Sequence, residues 1–487
     1  MSIDTSSVRT EKLHRIREEL GLDPYPPRAE RTAAVLETRE KGETDEPVTV
    51  CGRITAKREH GKTVFADLAD ATGSIQLYLG KKVLSEKEWE LLELLDLGDI
   101  VQATGPVFTT RTEELTVKCT GLKLLSKSVR QLPVVKVDSS GVAHDEVSDS
   151  DLLYRHRCVD LLVNPDSRER LLKRSAIVSA LRNCLDSDGF LEVETPVLQP
   201  IYGGAAADPF ETEYRSMNRT FYLRIATELY LKRLVAGGIE KVYELGKDFR
   251  NEGIDRTHSP EFTQLELYEA YADYNVMMER FEEMVVSAAE ACGIGNSIVY
   301  RGTQLDLSPP FRRTGFMDSL REASGEDLFD WETGDLKNLL EREGVKSDSE
   351  DRLDILDKLF DHYVADRIVQ PTFVVDYPEE LSPLAKRKAG EEGITERFEA
   401  FAAGLELANA FSEQNDPLLQ REILERQASE SEHRKGKVDR DFLYALEIGM
   451  PPTGGLGLGV DRLVMLLTDT GRIRDTVMFP HLRQLDK

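Results

Sequence analysis

The segment FRNEGIDRTHSPEFTQLELY, residues 249–268, decides the fold of the larger part of this chain. The alternating apolar residues at its end are typical of a strand, and a glycine-containing loop precedes them. Side chains two residues apart share one face of a strand. The segment therefore predicts a hairpin that presents a cation, carboxylates and aromatic rings to one side. The residues concerned are Arg250, Glu252, His258, Phe262, Glu266 and Tyr268.

Two later segments carry residues of the same chemical kinds. In GGLGLGVDRLVMLL, residues 454–467, the glycines let a ligand approach the backbone, and Arg462 lies at the start of a predicted helix. The segment ERFEAFAAGLELANAFSEQND, residues 396–416, is strand-like. Two of its polar residues, at 406 and 409, are three apart, so a bulge or bend is needed to bring them to one strand face. Its candidate site residues are Glu399, Glu406, Asn409, Phe411 and Glu413.

The region 151–487 is predicted to be an α+β domain. Apolar residues at helical spacing, among them Leu171, Leu181 and Leu185, predict a long helix over 167–187. The charged stretch at about 312–365 is predicted to be a helical insertion. We expect a largely antiparallel sheet, with strands at 190–198, 220–225, 241–252, 261–271, 371–376, 396–413 and 443–448.

The region 46–130 has the alternating pattern of a small β-barrel. Val48, Val50 and Ile54 share one strand face, and later segments repeat this period. Strands near 48–57, 62–68, 74–79, 99–107 and 114–125, with a helix at 85–95 between the third and fourth, predict an OB-fold. Helices at 8–20 and 28–41 are expected within an N-terminal region, 1–45, and a polar linker, 131–150, follows the barrel.

Four residues of these predicted strands fall in the outward phase. Phe65 lies between the inward residues Val64 and Ala66, so its ring should point away from the barrel interior. An exposed ring beside hydrogen-bonding groups is what single-stranded nucleic acid needs for stacking and base contacts. Alternatively, the ring packs under a loop or the N-terminal helix. The candidate nucleic-acid face consists of Arg53, Phe65, Gln76 and Glu114.

Composition excludes several classes of protein. The 487 residues are 40% hydrophobic and 31% charged, as in globular proteins of two or three domains. The net charge of −26 argues against a uniformly basic nucleic-acid binder, although a local basic patch can still bind RNA. The five scattered cysteines predict neither disulfides nor a zinc site. No apolar run approaches the roughly 20 residues of a membrane span, so we expect no membrane association and a cytoplasmic location.

At these residues the chain resembles the class II aminoacyl-tRNA synthetases, and within them the lysine enzymes. FRNE and GLGLGVDR are similar to two motifs of the class, and FLEVETPVL, 190–198, to a third at the dimer interface, with Pro196 as its proline. TELYLKRL and NAFSEQND are specific to the lysine branch, and the resemblance covers nearly the whole chain. The family usually has Pro at Thr227 and Leu at Gln414, so the chain departs from it there.

The resemblance implies an ATP site. Attack of the lysine carboxylate on the α-phosphate brings two anions together, so cations are required. Arg250 would take the α-phosphate, and Arg462 the distal phosphate and adenine. His258 would contact phosphates, Glu252 would accept from the adenine amino group, and Phe262 would stack on adenine opposite Arg462.

The resemblance also implies magnesium ions and a lysine pocket. Glu399 and Glu406 would hold Mg²⁺ that bridges the phosphates. Glu228 and the backbone at Gly204 would bind the α-amine of lysine, because an ammonium needs acceptors. Glu413 and Tyr268 would bind the ε-ammonium, and Glu266, Asn409 and Phe411 would shape the slot for the aliphatic stem. Lysine tRNA, ATP, L-lysine and a second copy of the chain are the partners implied.

Three alternatives remain open at this point. An aspartate or asparagine synthetase would need a cation at the end of the pocket, where this chain has Glu413. A ligase that attaches lysine to a protein would lack the barrel, which is complete here. A non-catalytic sensor with this fold would lack Arg250, Glu252, Arg462 or a magnesium carboxylate, yet all are present.

Overall fold

The structure is a computed structural model. It describes residues 7–132, 136–137, 143–144, 150–205, 207–347, 349–430 and 438–482. The chain forms two compact units, Met1–Asp149 and Ser150–Lys487. Within the described ranges, no helix combines the length and the apolar character that crossing a bilayer requires.

The first unit contains a β-sheet with short helices. Its elements are α1 Ser7–Glu18, α2 Val35–Lys41, β1 Thr44–His60, β2 Thr63–Ala69, β3 Ser74–Gly80, α3 Glu86–Leu94, β4 Ile100–Thr109, β5 Leu115–Lys118, β6 Gly121–Ser126, β7 Lys136–Val137 and β8 Ala143–His144. The strand predicted at 114–125 is two strands, and the helix predicted at 28–41 is helical only in α2. Most of the predicted 131–150 linker lies outside the described residues.

The sheet of the first unit follows the order β1-β2-β3-β5-β4-β6, and β1 also pairs with β4. The β1–β4 pairing closes a ring of five strands, and β6 pairs with β4 along the edge that β5 also uses, so the sheet is not a strict five-stranded barrel. The predicted inward residues, such as Val50, Ala66 and Leu77, are buried. Ile16 of α1 and Val35 of α2 belong to the same core, so both N-terminal helices pack on the sheet.

The second unit contains a large sheet covered by helices. Its elements are α4 Ser150–Arg155, α5 Arg157–Val163, α6 Pro165–Ser187, β9 Leu191–Glu192, β10 Leu198–Gln199, β11 Glu211–Tyr214, β12 Arg219–Leu223, α7 Glu228–Ala236, β13 Lys241–Phe249, β14 Glu261–Ala270, α8 Tyr274–Ala291, β15 Ser297–Tyr300, β16 Thr303–Asp306, β17 Arg312–Gly315, α9 Phe316–Ser324, α10 Thr333–Arg342, α11 Arg352–Tyr363, β18 Thr372–Pro378, β19 Ile394–Ala402, β20 Leu405–Ser412, α12 Pro417–Glu430, α13 Arg440–Ile448, β21 Thr453–Gly459, α14 Val460–Leu467 and α15 Ile473–Thr476.

Eight strands form the large sheet in the order β17-β18-β19-β20-β21-β14-β13-β9. Only β17–β18 and β13–β9 pair in parallel, so the predicted α+β class with a mainly antiparallel sheet is confirmed. One face is covered by α6 and α8, which pack on Tyr243, Leu265 and Leu267. On the other face, α7 and α13 pack on Val242 and Tyr268. The site lies on this second face.

Two strand predictions in this unit were wrong. The segment 443–448 belongs to helix α13, where Asp439 caps the first turn by accepting a hydrogen bond from the Phe442 backbone N–H at 2.9 Å. Phe442, Leu443 and Leu446 are buried at helical rather than alternating spacing. The segment predicted as one strand at 190–198 contains only the two-residue strands β9 and β10. The predicted helical insertion at 312–365 begins with strand β17 at the sheet edge, and its helices start only at Phe316.

Candidate active site and nucleic-acid interface

A cavity of about 580 Å³ lies on the helix α7 face of the large sheet. It collects residues that are more than 250 positions apart in the chain, because the hairpin β13–β14 lies beside β21 and β20. The candidate residues that line it are Gly204, Glu228, Arg250, Glu252, His258, Phe262, Glu266, Tyr268, Glu406, Asn409, Phe411 and Arg462. Glu413 and Glu399 adjoin the cavity through the lining residues Gly455 and Arg397, respectively.

The alternation of β14 explains why its polar residues line the cavity together. Side chains two apart share a face, so Gln264, Glu266 and Tyr268 face the cavity while Leu265 and Leu267 enter the core. The neighbouring strand β21 carries glycines opposite them in register. A Cβ atom at Gly455 would overlap both Glu413 and Tyr268, so the pocket needs glycine at this position.

Arg250 and Glu252 are in a loop rather than on a strand face, because β13 ends at Phe249. The prediction that they share a strand face was therefore wrong, although both line the cavity. The Arg250 guanidinium lies over the Phe262 ring, 5.0 Å from its centroid. The backbone N–H of Arg250 donates to the Pro260 carbonyl at 2.9 Å, which holds the two ends of the loop together.

Arg462 is the centre of a polar chain across the cavity. It is the third residue of α14, as its predicted place near a helix start requires, and its Nη1 donates to Glu406 Oε2 at 2.9 Å. Its Nη2 donates to His258 Nε2 at 3.0 Å. Because arginine cannot accept a hydrogen bond, His258 carries its proton on Nδ1, which donates to Asp255 Oδ2 at 2.8 Å.

The two proposed metal carboxylates have opposite environments. Burial raises the pKa of Glu399 to about 7, and the charge of Glu406 adds to the rise, while Arg397 opposes it. Burial also acts to raise the pKa of Glu406, but the adjoining Arg462 guanidinium lowers it below its ordinary value. Two neighbouring carboxylates whose pKa values are driven apart mark a place where negative charge is crowded.

A bulge reconciles the spacing of Glu406 and Asn409. In the β19–β20 pairing, Phe401 opposes Glu406 and Ala400 opposes Ala408, so Leu407 is the extra residue. The bulge that the sequence required is therefore present. Glu406 and Asn409 both line the cavity as a result.

The part of the pocket around Glu228 and Glu413, here called its closed end, contains a buried ammonium between two carboxylates. Lys232 of α7 is fully buried, and its Nζ lies 2.5 Å from Glu228 Oε1 and in contact with Glu413 Oε2. The rings of Tyr268 and Phe411 lie 5.9 and 5.3 Å from the same nitrogen. Burial raises the pKa of Glu413 well above its ordinary value, and Lys232 opposes this shift.

The two departures from the family affect the pocket differently. Thr227, where the family usually has proline, donates its backbone N–H to Glu266 Oε1 at 3.3 Å, a bond that proline cannot make. Burial raises the pKa of Glu266 to about 8, with added repulsion from Asp248 and Glu228. Gln414 accepts from the Asp416 backbone N–H at 3.0 Å, so its amide oxygen stabilises the turn after β20.

In the first unit, the candidate nucleic-acid face carries a row of aromatic rings. Phe65 is half-buried and meets Tyr78 edge-on at 5.5 Å, and Tyr78 meets Phe108 at 6.1 Å. Gln76 lies on the same strand as Tyr78 and accepts from the Thr116 hydroxyl at 3.0 Å. The structure thus offers a longer aromatic surface than the single ring that the sequence indicated.

Two of the predicted residues of this face lie at its margins. Arg53 donates to the Gly98 carbonyl at 2.6 Å, and Glu114 precedes β5 in an exposed turn. A register shift in β1 follows Ile54, and beyond it Arg58 is the residue opposite Phe65. Arg58 forms two hydrogen bonds with Asp67, at 2.9 and 2.7 Å. Sequence alternation missed Arg58 because a bulge changes the phase without any glycine or proline to mark it.

The sequence analysis also missed two residues of the second unit. Lys232 is four residues after Glu228 in α7 and between apolar neighbours, a helical spacing that could have indicated the pair. Arg397 donates to Glu399 Oε1 at 2.6 Å and to Asn409 Oδ1 at 3.1 Å. It is two residues before Glu399, so strand alternation could have placed both on one face.

A hairpin and a glycine-rich strand that bring two arginines and several carboxylates into one cavity define a class II aminoacyl-tRNA synthetase. Comparison with known proteins agrees. Residues 149–483 match the family described as tRNA synthetases class II (D, K and N). Residues 48–125 match the OB-fold nucleic acid binding domain.

Relatives that match over nearly their whole length identify the branch of this class to which the chain belongs. The lysine–tRNA ligase of Thermoanaerobacter pseudethanolicus is 46% identical over 98% of this chain and 95% of its own length. That of Clostridium perfringens is 45% identical with the same coverage, and that of Clostridium acetobutylicum is 46% identical over 99% of this chain and 94% of its own length. The chain belongs to the lysine–tRNA ligase family.

Proposed function

We propose that the chain activates L-lysine with ATP to form lysyl-adenylate and pyrophosphate, and then transfers lysine to the terminal adenosine of lysine tRNA. The observation that carries this proposal is one cavity lined by Arg250 and Arg462, with the buried carboxylate Glu228 in its wall and the buried Glu413 behind its lining residue Gly455. Cations suit the phosphates of ATP, whereas carboxylates suit the two amines of lysine.

The arginines would bind and orient ATP. Arg250 is proposed for the α-phosphate and Arg462 for the distal phosphate, where they offset the repulsion between phosphate and attacking carboxylate. Glu252 and His258 would contact adenine and phosphate. The Arg250 guanidinium already lies over the Phe262 ring, the ring on which adenine would stack. No general base is needed, because the nucleophile is already a carboxylate.

Glu399 and Glu406 would hold Mg²⁺ together with the phosphates. Among the described residues, no group of three or more His, Cys, Asp or Glu side chains is arranged to hold a metal ion. Two crowded carboxylates fit Mg²⁺ nonetheless, because this ion commonly uses one or two carboxylates and completes its shell with phosphate oxygens and water. When bound, the ion would neutralise phosphate charge.

The closed end would select lysine. Glu228 and the Gly204 backbone are proposed for the α-amine, and Glu413 with Tyr268 for the ε-ammonium. The aliphatic stem would lie against Phe411, a ring that suits a methylene chain. Glu266 and Asn409 would complete the slot, and the Thr227 N–H fixes Glu266 beside it.

The first unit would bind the anticodon, with bases stacked on Phe65 and contacted by Gln76, Glu114 and Arg53. The row that continues through Tyr78 and Phe108 supports stacking of more than one base. With this activity, the chain would serve protein synthesis, and we propose the cytoplasm as its location.

A homodimer is also part of the proposal. Leu172 of α6, Leu191 of β9 and Leu198 of β10 are 61%, 52% and 50% exposed, although each is a large apolar residue. They lie in the predicted helix 167–187 and in the segment 190–198, both of which resemble the dimer interface of class II synthetases. Burial of such residues between two copies would remove apolar surface from water.

The direct test is ATP–pyrophosphate exchange measured with each amino acid in turn. Exchange that depends on lysine alone is the expected result. Exchange that depends on aspartate or asparagine would contradict the assignment of Glu413. A folded protein without exchange for any amino acid would show instead a non-catalytic member of the fold.

A further inference from the structure

The buried ammonium of Lys232 contacts one oxygen of each of two carboxylates and leaves the other oxygen of each on the cavity side. Lys232 Nζ contacts Oε1 of Glu228 and Oε2 of Glu413. The other oxygen of each carboxylate faces a glycine that lines the cavity. A Cβ atom on Gly204 would lie 3.7 Å from Glu228 Oε2, and a Cβ atom on Gly455 would overlap Glu413 Oε1.

We propose that Lys232 is a positioning residue for substrate selection: it holds one oxygen of Glu228 and one of Glu413, and leaves the second oxygen of each for one of the two ammonium groups of lysine. The proposal rests on the function proposed above. Lys232 would thus fix the distance between the two ammonium sites. Only a substrate whose two amines are separated by that distance could occupy both sites.

The surroundings of Lys232 make this spacing rigid. Its side chain is fully buried, and Phe442 of α13 closes the third side, with its ring 5.8 Å from Nζ. Neither carboxylate can rotate freely. Rotation would break its contact with Lys232, which among the described residues is the one cation that touches both carboxylates. Among the described groups, neither carboxylate oxygen of Glu413 accepts a hydrogen bond, so its ion-pair contact with Lys232 is what holds its orientation.

The charge of Lys232 matters in addition to its position. The ionisable groups around Glu413 are Lys232 and Glu228 from α7 and Glu266 from β14, with Asp248 of β13 and Tyr268 of β14 behind them. Apart from Lys232, the carboxylates in this set repel the charge of Glu413. Without the ammonium, the pKa of Glu413 would rise further, and a protonated Glu413 cannot bind an ammonium group as an ion pair.

The test compares Lys232→Met, which has a similar unbranched length without charge, with the matched control Arg233→Met on the neighbouring, part-exposed position of α7. In lysine-dependent exchange, Lys232→Met should lower kcat/KM for lysine roughly 100-fold or more, mainly through KM, because two buried carboxylates lose their shared cation. KM for ATP should stay unchanged, and the control should match the unaltered protein.

Two further readouts separate positioning from a merely structural role. The acid limb of the pH profile for lysine should move to higher pH in Lys232→Met, because Glu413 then needs a higher pH to ionise. The preference for lysine over ornithine, which is one methylene shorter, should also fall from the range of about 10- to 200-fold that one methylene gives. An unchanged pH profile and an unchanged preference would overturn the proposal.

If Lys232→Met does not fold, a second variant and a measurement on the unaltered protein still test the proposal. Lys232→Gln keeps hydrogen-bond donors but no charge, so it should show the same pH displacement and retain more of the preference for lysine. In the unaltered protein, the five-carbon diamine cadaverine should compete with lysine at least ~10-fold more strongly than the four-carbon putrescine. Equal inhibition by both diamines would overturn the proposal, while absence of lysine-dependent exchange would refute the proposed function itself.

Discussion

Substitution Glu413→Gln removes one negative charge from the closed end of the pocket and almost no volume. Glu413 and its partner Lys232 are both 0% exposed in their side chains, so no solvent screens the change. Loss of one partner from a buried charge pair costs about 2–5 kcal/mol. The glutamine oxygen still accepts a hydrogen bond, so we take about 2–4 kcal/mol, which corresponds to roughly 30- to 700-fold in kcat/KM at about 1.4 kcal/mol per tenfold change.

The assay is ATP–pyrophosphate exchange with lysine varied at saturating ATP, and then with ATP varied at saturating lysine. The loss should appear for lysine and not for ATP, because the charges of Arg250 and Arg462 act on Glu406, whereas Glu413 is surrounded by Lys232, Glu228 and Glu266. Glu425→Gln is the control, because this glutamate of α12 is 60% exposed and 3.9 Å from Arg421, an ion pair of little energetic value. Unchanged lysine dependence in Glu413→Gln, with the protein folded, would refute the assignment of the ε-ammonium site.

Further predictions concern the metal, the RNA face and the assembly. The double substitution Glu399→Gln and Glu406→Gln should abolish adenylate formation without unfolding the chain, and exchange that persists after magnesium is chelated would exclude the metal role. Phe65→Ala should weaken tRNA charging at limiting tRNA by roughly 1–3 kcal/mol, the value of one stacked base, and leave exchange unchanged; a parallel fall in exchange would indicate lost stability instead. Sedimentation of the active protein should show a dimer, and Leu172→Asp should shift it towards monomer, whereas a stable and active monomer before substitution would contradict the proposed interface.

Sequence periodicity predicted the hairpin well because its polar residues lie close together in the chain and its strands, 241–249 and 261–269, pair without a shift. Periodicity failed where a local feature competed with it. In α13, Leu443 and Leu446 fit an alternating pattern poorly, but Asp439 and Gly449 are the helix cap and stop that mark the true element. On β1, the register shift after Ile54 changed the phase of the residues beyond it, so alternation did not indicate that Arg58 lies opposite Phe65.

Charged residues inside the core were the hardest to predict. Lysine is mostly exposed in folded proteins, so Lys232 in the middle of a helix would ordinarily be assigned to solvent. Its burial depends on Glu413, which is 181 positions away in the chain, and no local pattern reports a contact of that length. The same holds for Asp461, which accepts from Arg174 Nη1 at 2.5 Å and from the Thr263 backbone N–H at 2.8 Å.

Strand β21 lies between β14 and β20 in the middle of the large sheet, although it is the last strand among the described residues. During synthesis, the hairpin β13–β14 and the group β18–β20 must therefore wait as separate half-sheets, each with an unpaired edge, until residues 453–459 have emerged. Contacts between such distant segments form slowly and leave strand edges open to other chains meanwhile. A chain released before this strand has been made would have a catalytic sheet that cannot close, and its exposed strand edges would make it a substrate for chaperones and proteases.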